Sequence, residues 1–176
     1  FLLRQPWTTQ RPSVLSANGP ATLVPVVLVH GYLCNHRIWD DVASDLRAHG
    51  HSVIAVNLEP VFASIDNYVP SVDAAVSELL RKTGANQVAL IGHSMGGLAI
   101  RAWMRDHGTE RVACVLTLGT PHAGTRVEPN AATPNGLQMR WRSQWLAELA
   151  AAETADARAR ISIALTLQDN IVYPQR

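Results

Sequence analysis

Lysine is nearly absent from these 176 residues: Lys82 stands alone, and fifteen Lys plus Arg balance fourteen Asp plus Glu to a formal charge of +1. The basic side chains are scattered, so the chain has no electrostatic footprint for nucleic acid. Cysteine is as scarce. Cys34 and Cys114 lie far apart without metal-ligand spacing, which excludes a disulfide framework and gives no reason to place zinc. No apolar run approaches the ~20 residues of a spanning helix. No complete signal peptide is visible, although Phe1, Leu2 and Leu3 could be the tail of one. G-x-G-x-x-G and P-loop patterns are missing, so no nucleotide is implied and no cofactor is expected. Charged residues are only 16% and hydrophobic ones 47%. That composition excludes a disordered chain and, at ~150 residues per domain, points to one domain with one core.

Five short apolar runs stand out: Val26 to Val29, Val53 to Val56, Val88 to Ile91, Val112 to Leu118 and Ile161 to Leu167. Each is continuous rather than alternating, which suits strands buried on both faces. Segments with helical spacing lie between them, so the order reads β then α repeated and predicts an α/β fold, a mostly parallel sheet with helices on both faces. The first helix is expected over 35–49, with Ile38, Val42 and Leu46 inward, Asp40 and Asp41 at its positive end and Gly50 as its stop. A second is expected over 71–82, capped by Ser71 after Pro70, with Val72, Val76 and Leu79 buried and Gly84 ending it. A third follows Ser94 and ends near Gly108. A fourth, over 143–157, carries Trp145, Leu146 and Leu149 in an alanine-rich stretch. Residues 1–24 and 119–140, punctuated by proline, glycine and asparagine, read as loops.

The chemistry concentrates in Gly92-His93-Ser94-Met95-Gly96-Gly97, a G-x-S-x-G pattern lying between an apolar run and a helix. Such a turn holds its serine in a strained conformation, and the flanking glycines let strand and helix backbones meet without Cβ clashes. Ser94 Oγ would then emerge at the carboxyl end of its strand, beside the free N–H groups of a helix N-terminus. His93 is read as a packing residue. A second pattern, His30-Gly31-Tyr32-Leu33, ends the first strand; its turn can aim the Tyr32 N–H at the same point as the Met95 N–H, giving two oxyanion donors. His30 is read as structural.

Together Val29-His30-Gly31-Tyr32, Gly92 to Gly97 and Leu118-Gly119-Thr120-Pro121-His122-Ala123-Gly124-Thr125 resemble the bacterial lipase and esterase branch of the α/β-hydrolase superfamily. The likeness spans about residues 24–176. It implies a core over 25–176 behind an N-terminal extension over 1–24, with 120–142 as a cap over the site. Gln168-Asp169-Asn170-Ile171-Val172-Tyr173-Pro174 resembles the family's acid-bearing turn, which implies Asp169 as the triad acid. Its position after the run Ile161 to Leu167 fits the same sheet edge. Asp66, Asp73 and Asp106 have no such strand-end placement.

In this family the triad runs Ser, then Asp or Glu, then His, yet all seven histidines precede Asp169. Either the chain is cut before a final strand, helix and histidine-bearing loop, or it is a degenerate relative. The first is expected, because the family pattern persists through Tyr173 and Pro174, and the 176 residues alone are then expected to be inactive. His122 could stand in as base, but in the family its loop is structural or pocket-lining.

The expected reaction is acyl transfer from carboxylic esters through Ser94. The pocket is expected from Leu33, His122, Leu137 and Met139, with Trp141 beside them, and the loop 118–125 implies an aliphatic acyl chain. Thioester, amide or polyester hydrolysis, or a non-catalytic hydrolase-like binding module, are the alternatives. The likeness admits contact with a lipid interface and suggests export or the cell envelope. Calcium and oligomeric state cannot be read from these residues.

Overall fold

The computed structural model describes residues 13–19, 23–126 and 132–165. Strands β1 (Val26–Val29), β2 (Val53–Val56), β3 (Val88–His93), β4 (Val112–Leu118) and β5 (Ile161–Ala164) pair in parallel in the order β2-β1-β3-β4-β5. Side chains alternate across β1. Val27 and Val29 join the main core beneath α2 (Val69–Thr83) and α3 (Met95–His107), whereas Val26 and Leu28 pack with Trp39 and Ala43 at α1 (Asp40–Ala48). Helices therefore cover both faces, as the continuous apolar runs require. Each fully buried aliphatic side chain contributes about 1.5–3 kcal/mol to this arrangement. The fifth run departs from expectation: β5 is the edge strand among the described residues, and Ile163 is 55% exposed. Residues 166–167 of that run lie outside the described residues.

The helices depart from the expected spans. His36–Trp39 form a 3-10 turn before α1, with Asn35 accepting from the Arg37 N–H. A 3-10 turn winds at about 3.0 residues per turn against about 3.6 in an α-helix. The inward face is thereby rotated onto Trp39 and Ala43. Val42, expected inside, is 39% exposed, while Ile38 and Leu46 are half-buried. Helix α2 begins at Val69 and takes Pro70 into its first turn, where a missing N–H costs nothing. Ser71 is therefore inside the helix, and Ser64 caps the 3-10 turn Ile65–Tyr68 that precedes it. Val72, Val76 and Leu79 are buried as expected, and Gly84 ends the helix at φ 70°. The loop 119–140 holds a short helix, α4 (Pro134–Gln138), capped by Thr133.

The expected fourth helix is two, α5 (Gln144–Ala152) and α6 (Ala155–Ala159), with Ser143 and Thr154 as caps. Glu153 between them is extended and turns into the protein to meet Arg101.

The pairing register levels the carboxyl ends of the strands. Val29 is opposite Gly92, His93 opposite Leu118, and Leu118 opposite Ala164. Two further bonds extend the ladder past the strands: the Ser94 N–H donates to Leu118 O (2.8 Å) and the Gly119 N–H to Ala164 O (3.0 Å). The turns after β1, β3 and β4 consequently open on one edge, where parallel α/β sheets bind their ligands.

Candidate active site

Strand β3 ends at His93 and α3 starts at Met95, so one residue makes the entire reversal. That residue, Ser94, has φ 51° and ψ −125°, a conformation costing a non-glycine residue about 1–3 kcal/mol. Its surroundings enforce it. The Ser94 N–H is held by Leu118 O, and Ser94 O accepts from the Gly97 N–H at 3.1 Å. A Cβ on Gly92 would lie 2.6 Å from Gly97 N, and one on Gly96 would strike the carbonyls of Val29 and His30. The G-x-S-x-G spacing thus reflects three backbones crossing where no side chain fits.

The turn after β1 comes just as close. A Cβ on Gly31 would lie 2.9 Å from Ser94 Cβ. Gly31 O accepts the Cys34 N–H at 3.3 Å, closing a tight turn in which Leu33 has φ 54°. Among the described residues neither the Tyr32 N–H nor the Met95 N–H has a hydrogen-bond partner. Met95 is the first residue of α3, where the helix dipole is positive.

His30 is buried under this turn. Its Nδ1 meets Gly31 O at 2.8 Å, and its Nε2 accepts the Leu58 N–H at 3.0 Å. Burial pushes its pKa down to about 4 against the opposing bond to Gly31, and His36 and His93 nearby add to the depression. The imidazole is neutral at pH 7. Asn57 Oδ1 accepts the His36 N–H and faces His36 Nδ1, each at 2.9 Å, fastening the same turn to the loop after β2. The His93 ring lies edge-on to Trp39 at 6.5 Å.

His122 is tied elsewhere. Its Nε2 is 3.0 Å from Thr117 Oγ1, and its Nδ1 and carbonyl oxygen face Arg101 at 3.4 and 3.2 Å. Burial first, and the Arg101 charge second, hold its pKa at about 4. Arg101 also pairs with Glu153 at 2.5 Å, the two side chains only 5% and 8% exposed.

Of the expected pocket residues, Leu33 and Leu137 are exposed, whereas Met139 is 2% exposed and packs in the main core. The guanidiniums of Arg126 and Arg142 each lie 5.4 Å from the Trp141 ring. Asp169 lies outside the described residues.

Two features escaped the sequence reading. Phe62, in the loop after β2, leans on the Tyr32 ring at 6.1 Å and is itself exposed. Asp66 is a hub: its carboxylate accepts from Trp145 Nε1 (2.8 Å), Gln138 Nε2 (3.0 Å), Ser64 Oγ (3.1 Å) and Arg105 (3.0 Å). Burial opposes its charge, but the bonds from Trp145, Arg105 and Ser64 prevail and hold its pKa below the ordinary carboxylate range. With Asn135 Nδ2 donating to Val61 O at 2.8 Å, this hub straps 132–145 onto the loop after β2.

The sharp serine turn on a level parallel sheet, met by a second turn at Gly31, invites comparison with known proteins. The family profile for the alpha/beta hydrolase fold matches residues 24–172. The chain belongs to the α/β-hydrolase fold family. A triacylglycerol lipase of Burkholderia plantarii is 40% identical over 124 residues, covering 65% of this chain and 34% of the relative. A triacylglycerol lipase of Pseudarthrobacter phenanthrenivorans is 40% identical over 114 residues, covering 60% and 35%. The chain thus spans about a third of the length of these relatives. Among solved structures, a Bacillus licheniformis lipase in propeptide form aligns with a TM-score of 0.73 at 18% identity, covering 88% of this chain and 38% of its own. At that identity the likeness establishes the shared fold.

Proposed function

We propose that this α/β hydrolase cleaves carboxylic esters carrying an aliphatic acyl chain, with Ser94 as the nucleophile. The observation that carries the reading is the positive-φ conformation of Ser94 at the carboxyl edge of the sheet, with Gly31 packed against it. A hydroxyl in that position meets a carbonyl carbon entering from the crevice. In this reading Ser94 Oγ attacks the ester carbon as an imidazole takes its proton. The carbonyl oxygen, now negative, is received by the Tyr32 and Met95 N–H groups. Collapse expels the alcohol, which recovers the proton from the imidazolium, and water repeats the sequence on the acyl-enzyme.

Asp169 is assigned the carboxylate that orients the imidazole. The seven histidines, all described, are otherwise engaged: His30 and His122 by the bonds above, His36 by Asn57, His49 and His51 by backbone oxygens of Asp45 and Val24, His93 edge-on to Trp39, and His107 stacked on Trp103 beside Asp73. The scheme therefore draws its base from outside these 176 residues, and on this reading the chain alone turns over slowly or not at all. Likeness to triacylglycerol lipases supports an acyl chain as the recognised group. Leu33 and Leu137, with Phe62, are assigned to its apolar wall, and a lipid interface is a compatible source of substrate.

The test is a series of p-nitrophenyl esters from acetate upward, assayed on the complete protein and on its Ser94→Ala variant. The expected result is turnover that rises beyond acetate and disappears in the variant. Activity confined to acetate contradicts the acyl-chain assignment, and turnover surviving in Ser94→Ala contradicts the nucleophile.

A further inference from the structure

The peptide unit joining Gly31 to Tyr32 carries both a carbonyl buried in the protein and the N–H assigned above to the oxyanion. A trans peptide is planar, with its C=O and N–H pointing to opposite sides. Whatever fixes the direction of Gly31 O therefore fixes the direction of the Tyr32 N–H. Among the described residues two donors reach Gly31 O: the Cys34 N–H at 3.3 Å, near the limit of a useful bond, and the His30 ring at 2.8 Å.

The protonation of that ring is settled by its other side. Leu58 N–H can only donate, so His30 Nε2 at 3.0 Å must accept, and in a neutral imidazole the proton then sits on Nδ1. Nδ1–H accordingly donates to Gly31 O. His30 is 2% exposed and Leu58 is buried as well, so water does not compete for either bond.

We propose that His30 is the positioning residue of the oxyanion donor: anchored by the Leu58 N–H, it holds Gly31 O and so aims the Tyr32 N–H into the crevice beside Ser94. The inference rests on the assignment of Tyr32 as a donor and adds to it the part that sets its direction. It accounts for a histidine at the end of a strand whose neighbours are aliphatic. A methyl or isobutyl group there would fill space but leave Gly31 O to the Cys34 N–H alone.

Two substitutions separate positioning from packing. In His30→Asn the side-chain amide nitrogen occupies the place of Nδ1 and can donate to Gly31 O, whereas the Leu58 N–H loses its acceptor. In His30→Gln the amide reaches the place of Nε2 and can serve Leu58, whereas the donor to Gly31 O is lost. Each variant gives up one buried bond, so their thermal unfolding should fall together. The orientation of the Tyr32 N–H, read from its residual dipolar coupling, should be kept in His30→Asn and altered in His30→Gln. In the ester assay kcat should fall about 10² to 10³-fold in His30→Gln, the loss typical of one oxyanion donor, with KM little changed. His30→Asn should stay close to the parent.

Equal couplings in the two variants overturn the positioning role. An altered coupling in His30→Gln with unchanged kcat leaves the positioning role standing and removes Tyr32 from the oxyanion assignment. If neither variant folds, nitrogen shifts of the parent decide: a proton on Nδ1 is expected, and a proton on Nε2 overturns the proposal.

Discussion

Breaking the buried Arg101–Glu153 pair should be strongly destabilising. Glu153→Leu leaves the Arg101 guanidinium, 5% exposed, with the His122 oxygen and ring nitrogen as its remaining hydrogen-bond neighbours among the described residues. An uncompensated buried charge of this kind costs about 3–5 kcal/mol, a large part of the ~5–15 kcal/mol that holds a domain together. For a urea slope of about 2 kcal/mol/M, the midpoint should drop by roughly 1.5–2.5 M. The pair also binds together helix α3, the junction between α5 and α6, and the loop carrying His122, so the loss should be global. Replacing both partners, as in Arg101→Met with Glu153→Leu, removes the stranded charge and should recover most or all of the loss. Urea unfolding followed by circular dichroism gives all four corners of the cycle. A single-variant loss under about 1 kcal/mol, or a double variant as unstable as the two singles summed, refutes the claim that charge compensation holds this junction.

The pH dependence follows from His30 and His122. Both have folded-state values depressed to about 4, so below pH ~6.5 the unfolded chain binds protons that the folded one refuses. Stability should be unaffected by these groups above pH ~6.5 and fall between there and pH ~4, by about 3 kcal/mol for each histidine at the lower end. Their imidazole C–H resonances should stay untitrated down to pH ~5; titration near pH 6.5 contradicts the burial argument. Gly31→Ala puts a methyl 2.9 Å from Ser94 Cβ and should cost about 1–3 kcal/mol as overpacking, with slower phosphonylation of Ser94; a variant of parent stability and reactivity contradicts the close approach. Asp66→Asn places an amide donor among four existing donors and should speed amide exchange across 135–146 roughly tenfold or more, by local opening; unchanged exchange there denies Asp66 its role as the strap.

The strands and the serine turn were legible because both are written in contiguous residues. Continuous Val, Ile and Leu runs had only a parallel, doubly covered sheet to occupy, and the glycines around Ser94 mark backbone crossings that no other residue allows. What was illegible depends on partners distant in the chain. Glu153 sits in an alanine-rich stretch whose propensity favours one helix, and only Arg101, fifty-two positions earlier, explains the break. Asp66 looked like an ordinary loop acid because its partners Gln138 and Trp145 lie more than seventy residues away. The phase error in the first helix is local but small-scale: a single 3-10 turn at 36–39, invisible to a 3.6-residue period, moves the buried face from Val42 to Ala43. Phe62 gave no signal beyond being an aromatic in a loop. The turn at Tyr32 is legible in the His30-Gly31 pair, whereas the bond from the Leu58 N–H that sets the His30 ring comes from twenty-eight residues away.

In the proposed reaction Ser94 Oγ and two backbone N–H groups converge on one reacting carbon. A crystal structure of the protein after reaction with an alkyl fluorophosphonate tests this most directly. The adduct should sit on Ser94, with its phosphoryl oxygen about 2.7–3.1 Å from both Tyr32 N and Met95 N. An adduct on another residue, or a phosphoryl oxygen on Ser94 turned away from those two nitrogens, contradicts the account.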